Sequence, residues 1–208
     1  MRRVLACTAL LAIVAVGCSS SQVFRVPPRI DLARHELIGV IEFSSTSEGE
    51  LGALATRRFM ESARQDQGLV RVLEVGPAQQ ALGSVGRDRL DAETFRALGQ
   101  QHELRTVVVG ELTVSKVRPS VRIDPDLRSG GLSARVDATL AVQMIETETG
   151  ASIWSRSARA TQSVGQISVL GGDRIVFDAD DPERAYGGLV DALVAQVTRD
   201  FQVGWERR

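Results

Sequence analysis

The chain has 208 residues, 25 basic and 26 acidic, a formal net charge of −1 and only 4% aromatic residues. That balance argues against a nucleic-acid binder, and so few rings leave no stacking platform for bases or sugars. Its two cysteines, Cys7 and Cys18, both lie near the start, so the folded part holds no thiol for a disulfide or a thiolate metal site.

Met1 to Cys18 decides where the chain lives. Arg2 and Arg3 give a positive start, Val4 to Val16 is an almost unbroken apolar run, and Ala15-Val16-Gly17-Cys18 places small residues before a cysteine. This is the order of a secretory signal peptide, and the run falls short of the ~20 apolar residues of a spanning helix. Ala15 to Cys18 resembles the bacterial lipobox, which implies cleavage after residue 17, diacylglycerol on the Cys18 sulfur and usually a further acyl chain on its nitrogen. An ordinary signal peptide cut nearby would instead leave Cys18 as a stray thiol. Stable anchoring needs more than one acyl chain, so the mature chain is expected to be tethered and not inserted. Removing residues 1–17 takes Arg2 and Arg3 away, leaving 23 basic (25 less 2) against 26 acidic residues, a net −3. The expected organisation is a signal peptide over 1–17, a lipidated cysteine and short tether over 18–35, and a single domain over 36–204.

Ser19 to Arg34 carries three serines and Pro27-Pro28 without an apolar period, and reads as the tether. Leu37 to Phe43 is a β-branched run of buried-strand length, followed by a polar loop over 44–50. Leu51, Leu54, Ala55, Phe59 and Ala63 then recur at helical spacing, which predicts a helix from Leu51 to Arg64 capped by Ser45, Thr46 or Ser47. Val70 to Val75 predicts a short strand ended by Gly76-Pro77, and Ala78 to Leu82 a short helical piece. Asp91 is placed as the N-cap of a helix from Ala92 to His102 with Phe95 and Leu98 on its apolar face. Thr106 to Val114 is the strongest strand signal, expected to be central and buried in its first half.

Lys116 to Leu132, with Pro119, Pro125 and Gly130-Gly131, reads as a long excursion holding at most a brief strand over Val121 to Ile123. Ala134 to Glu146 alternates, with Val136, Ala138, Leu140, Val142 and Met144 on one face. Thr147 to Gly150 turns the chain, and Ile153 to about Ser163 returns as the partner strand of a hairpin with one wet face. Residues 167–177, around Gly171-Gly172, resemble a further small hairpin. Asp181-Pro182 starts a last helix whose apolar face is Tyr186, Leu189, Val190, Leu193, Val194, Val197 and Phe201. The order β-α-β-α-β-loop-β-β-α predicts an α/β fold, a mixed sheet with helices packed against it.

Chemistry is sparse. His35 at the tether end and His102 at a helix end have no partner at ligand spacing and read as solvated or helix-terminal side chains. Ser44, Ser45 and Ser47 lack a nucleophile elbow, and capping or turn duty explains them better. Gly49-Glu50-Leu51-Gly52 is neither a Walker A loop nor a dinucleotide fingerprint, and Glu48 and Glu50 would repel a phosphate. Asp124 with Asp126, and Asp178 with Asp180 and Asp181, do not follow the spacing of a calcium loop. No catalytic residue, cofactor or metal is therefore expected; the one site residue is Cys18.

The strand Leu37 to Phe43, the run Val107 to Leu112 behind Leu98-Gly99, and above all Glu148-Thr149-Gly150-Ala151-Ser152-Ile153-Trp154-Ser155, arranged in this order behind a lipobox, resemble the CsgG superfamily of lipoproteins. That superfamily includes curli secretion lipoproteins, flagellar outer-membrane lipoproteins and LpoB-type activators of penicillin-binding proteins. The resemblance implies a CsgG/LpoB-like α/β sandwich in the periplasm, without catalysis, that binds protein partners in envelope assembly or maintenance and can form homo-oligomers. Two alternatives within it are a subunit of a curli-type secretion channel and an LpoB-type activator. The broken excursion weighs against the first, since a membrane strand needs ~9–11 alternating residues, and the short tether against the second. An enzyme acting on peptidoglycan or a small ligand is the alternative from another class. Ser19, and not Asp, follows Cys18, which by analogy with lipoprotein sorting favours the outer membrane.

Overall fold

A computed structural model describes residues 23–47, 50–115, 118–123, 130–164 and 182–207. The signal peptide, Cys18, the acidic pair Asp124 and Asp126, the expected hairpin over 167–177 and the Asp178, Asp180 and Asp181 group lie outside the described residues. The chain divides into a larger unit, Pro28–Gln202, and a smaller one made of Met1–Pro27 with Val203–Arg208.

The larger unit is a mixed sheet with helices on both faces, the α/β class expected. Leu37–Ile41 (β2) lies parallel to Arg71–Gly76 (β4) on one side and to Thr106–Val114 (β5) on the other, and the short Ser44–Ser45 (β3) also runs parallel to β5. From β5 onward pairing is antiparallel: β5 to Gly130–Glu146 (β7), and β7 to Ser152–Val164 (β8). The turn between β7 and β8 is where it was expected. Gly150 there has φ +74°, and a Cβ on it would stand 2.4 Å from that of Ala92, so the position demands glycine.

The excursion after β5 is the main departure. Arg118–Ile123 (β6) is a full strand paired with β7 from Arg118↔Arg135 to Ile123↔Gly130, and β7 is 17 residues long. Ala134 pairs with Pro119 and also with Val164 of β8, so β6 continues along the edge of β7 that β5 occupies. The Ser115 N–H donates to the Asp137 carbonyl at 2.8 Å and carries the ladder past the end of β5. Prolines argue against strand interiors, but an edge strand needs only one set of backbone donors. Pro119 therefore did not exclude a strand.

Alternation on β2 and β5 divides the interior in two. Ile38, Val40 and Val108 face a large core with Phe43, Phe59, Leu140 and Leu193, whereas Ile41 and Val107 face a smaller one with Phe95, Leu98 and Leu104. Leu51–Arg64 (α1) and Pro182–Val197 (α4) cover the first face, Ala78–Ser84 (α2) and Ala92–His102 (α3) the second. The predicted face of β7 is buried in full, Val136, Ala138, Leu140, Val142 and Met144 all at 2% exposure or less. Tyr186, Leu189, Val190, Leu193, Val194 and Val197 of α4 and the following Phe201 are buried too, at 4% or less. The last turn tightens to a 3-10 helix over Thr198–Phe201, where Thr198 turns its hydroxyl back to the Val194 carbonyl at 2.7 Å.

The first turn of α1 is not capped as expected. Glu50 occupies the N-cap without a side-chain bond, the Ser45 and Ser47 hydroxyls bond each other at 2.7 Å, and Thr46 Oγ1 accepts from the Val114 N–H at 2.9 Å. What seats this helix is close contact. Thr56 accepts from the Phe43 N–H and donates to the Gly52 carbonyl, both at 2.8 Å, and a Cβ on Gly52 would lie 2.1 Å from the Phe43 carbonyl oxygen.

Part of the expected tether is ordered. Leu32–His35 forms a 3-10 turn with Leu32 buried, capped by Asp31, whose carboxylate accepts from the Ala33 N–H. Gln67 holds it, accepting from the Leu32 N–H and donating to the Ile30 carbonyl, each at 2.8 Å. In the smaller unit, Val23–Val26 (β1) pairs antiparallel with Gly204–Arg207 (β9).

Gly52→Ala should cost ~2–3 kcal/mol, because the new methyl meets backbone that cannot yield. Gly83→Ala, in a helix with nothing within 4 Å of the new Cβ, should be neutral or stabilising. Urea unfolding of both variants checks this; equal effects would contradict the close-contact account.

Candidate functional site

The sequence-level candidates separate clearly. Among the described residues no group of three His, Cys, Asp or Glu side chains is placed to hold a metal. No described helix is long and apolar enough to cross a membrane. His102 sits in the last turn of α3, where a basic group suits the helix terminus. His35 departs from expectation: it is half-buried, with Nδ1 2.9 Å from Thr106 Oγ1. Burial pushes its pKa below the ordinary 6.5, against the pull of Asp31 and then Glu146. Ser44, half of the two-residue β3, sets its hydroxyl 3.4 Å from the Gly110 carbonyl. Asp91 caps α3 as expected, its carboxyl pulled down to about 2 by the Thr94 N–H first and Arg89 second.

Among the described residues, the most concentrated polar arrangement gathers on Asp200, which sequence reasoning passed over. Its side chain is 15% exposed and takes Arg156 at 2.5 Å, Arg29 at 3.8 Å and the Trp154 indole N–H at 3.2 Å. The Trp154 ring packs on Phe201 with centroids 4.7 Å apart, and Phe201 meets Phe59, which meets Phe43. Burial is the largest single influence on Asp200 and opposes ionisation. The hydrogen bonds from Arg156 and Trp154, with the charges of Arg156 and Arg29, outweigh it and hold the carboxyl below its usual 3.8. An acid so held is a fastener and not a proton carrier. The only sequence signal for it was Trp154 in the Thr149-Gly150 hairpin, whose indole donor needs a partner once half-buried.

A polar groove of about 400 Å³ lies between α1 and α4, lined by Arg58, Glu61, Ser62, Gln65 and Asp191 among others. Arg58 bridges to Asp191 and to Glu61, each at 3.4 Å, so the charges there are matched within the fold. The described exposed apolar side chains include three on one ribbon: Val23 at 52%, Phe24 at 49% and Trp205 at 67%.

No family model matches the sequence, and no curated protein matches it. Solved structures do resemble the fold. The PelC dodecamer from Paraburkholderia phytofirmans is 20% identical, with 88% of this chain and 97% of that one covered and a TM-score of 0.42. Lipoprotein GNA1162 from Neisseria meningitidis is 17% identical over 77% of this chain and 96% of that one, TM-score 0.41. The LpoB C-terminal domain from Escherichia coli is 17% identical over 62% of this chain and 84% of that one, TM-score 0.39. These are likenesses at identities and scores too low to carry a function across.

Because Asp200 ionises more readily folded than unfolded, its contribution is full above the unfolded value near 3.8 and is lost as pH falls through the lower folded value. Asp200→Asn should lose ~1–2 kcal/mol at neutral pH, with the gap to wild type closing in acid. Chemical denaturation across pH reads this directly. A gap that does not change with pH would remove Asp200 from the account.

Proposed function

We propose that this chain is a non-catalytic lipoprotein of the bacterial outer membrane, held by acyl chains on Cys18, that binds protein partners in the periplasm during envelope assembly or maintenance. The observation that carries the reading is Ala15-Val16-Gly17-Cys18 at the end of a short apolar run behind two arginines. The spacing after it supports a role close to the membrane. Four residues, Ser19 to Gln22, separate Cys18 from β1, and Pro28, where the larger unit begins, is ten positions from Cys18. Ten residues span at most ~36 Å fully extended. So short a leash favours partners at the same membrane over activation of a synthase in the opposite one.

A second reading, a secretion-channel subunit, gains from one observation. The excursion argued against it as a broken loop, yet its described parts, 118–123 and 130–132, are paired strand that prolongs the β5–β7 ladder to Ile123↔Gly130.

Radioactive palmitate should mark the wild-type product and leave Cys18→Ala unmarked; equal labelling of both, or of neither, overturns the anchor. A photo-crosslinker at Arg122 on β6 should capture another envelope protein. Capture of further copies of this chain in ring-shaped particles, extracted only with detergent, would favour the channel.

A further inference from the structure

We propose that the β1–β9 ribbon is a membrane-contact surface, lying on the phospholipid headgroups of the leaflet that holds Cys18; this rests on the lipid-anchor reading above. Two antiparallel strands by themselves are marginal in water and need something against one face. Here the faces are set by the register. Arg25 stands directly opposite Trp205, with Val23 two residues along β1 on the same side, while Phe24 stands opposite Glu206. Directly opposed side chains lie about 5 Å apart, so the indole and the guanidinium form one patch.

The composition of that patch matches a bilayer interface. Tryptophan settles at headgroup depth because its ring is apolar and its N–H is not, and arginine lays its stem along apolar matter while its head reaches phosphate. The ribbon's charge also differs in sign from the rest. Arg25 and Arg207 against Glu206 give +1 (2 less 1), on a mature chain of net −3. An anionic surface would attract this end and repel the remainder.

The length of chain outside the described residues selects a bilayer over other occupants. Val23 is five positions from Cys18, so the ribbon starts within ~18 Å of the Cα of the acylated residue however the intervening residues run. The headgroup layer is itself about 5–8 Å thick on each side. Acyl chains and ribbon would then act as two linked contacts with one surface, fixing the orientation of the strand that leads to the body.

The test places the anchor chemically, independent of acylation in cells. Residues 18–208 are produced without the leader, so that Cys18 is the sole thiol, and coupled to a maleimide lipid in vesicles of equal parts phosphatidylcholine and phosphatidylglycerol. Lipids brominated near the headgroup end of the acyl chain should quench wild-type emission about twofold more than that of Trp205→Phe, which retains only Trp154. Arg25→Glu should weaken the quenching on these vesicles and leave it unchanged on phosphatidylcholine alone. Equal quenching of wild type and Trp205→Phe with coupling complete would overturn the proposal. So would a blue shift of Trp205 that depends on protein concentration without lipid, since a second copy would then cover the ribbon. A chain that passes this test but takes up no palmitate in cells fails the anchor reading alone.

Discussion

The fold depends on one apolar seam. Alternate residues of β7 and the inward stripe of α4 are each almost fully buried, and neither element has another place to put those side chains. Leu140 and Leu193 are both at 0% exposure, and truncating either to alanine would forfeit ~2–5 kcal/mol, a large share of the stability of any single domain. The Phe43, Phe59, Phe201 and Trp154 rings extend the seam to the C-terminal end of the helix, where Asp200 fastens it to β8 and to Arg29.

Polar side chains in this fold mostly complete backbone accounts. Thr56 joins the end of β2 to α1, Thr147 donates to the Leu104 carbonyl at 2.6 Å, and Gln67 ties Ile30 and Leu32 to the body. Each is a buried group whose alternative is an unsatisfied donor or acceptor. Side chains committed in this way make a stiff platform, and a stiff platform suits recognition by exposed strands and edges. The β6–β7 ladder is one such edge.

Where one face of an element is wet and the other dry, the sequence was informative. Leu51–Arg64, Ala92–His102, Thr106–Val114 and the β7–β8 turn were legible because their period is written in side chains that have only one place to go. Asp91 was legible as a cap because its side chain answers backbone donors three residues away. The misses share a cause, which is dependence on distant chain. Val23–Val26 has no period of its own and is a strand only because Gly204–Arg207 pairs with it. Leu32 is buried against the main core with Gln67 bonded to its N–H, and Arg118–Ile123 is held by an edge of β7. Asp200 is invisible for the same reason, since its three partners come from Arg29, Trp154 and Arg156. The Ser44 to Ser47 run misled because serine and threonine oxygens serve local turns and strand ends as readily as helix caps.

If the seam between β7 and α4 organises the domain, its amides should open only when the whole domain unfolds. Native-state hydrogen exchange measures this residue by residue. The slowest amides should fall in Val107–Val108, Val136–Met144 and Leu189–Val197, all exchanging with the free energy of global unfolding and all responding together to denaturant. Protection that peaks instead in the edge strand Arg71–Gly76, or that lets α4 open separately from β7, would contradict the account.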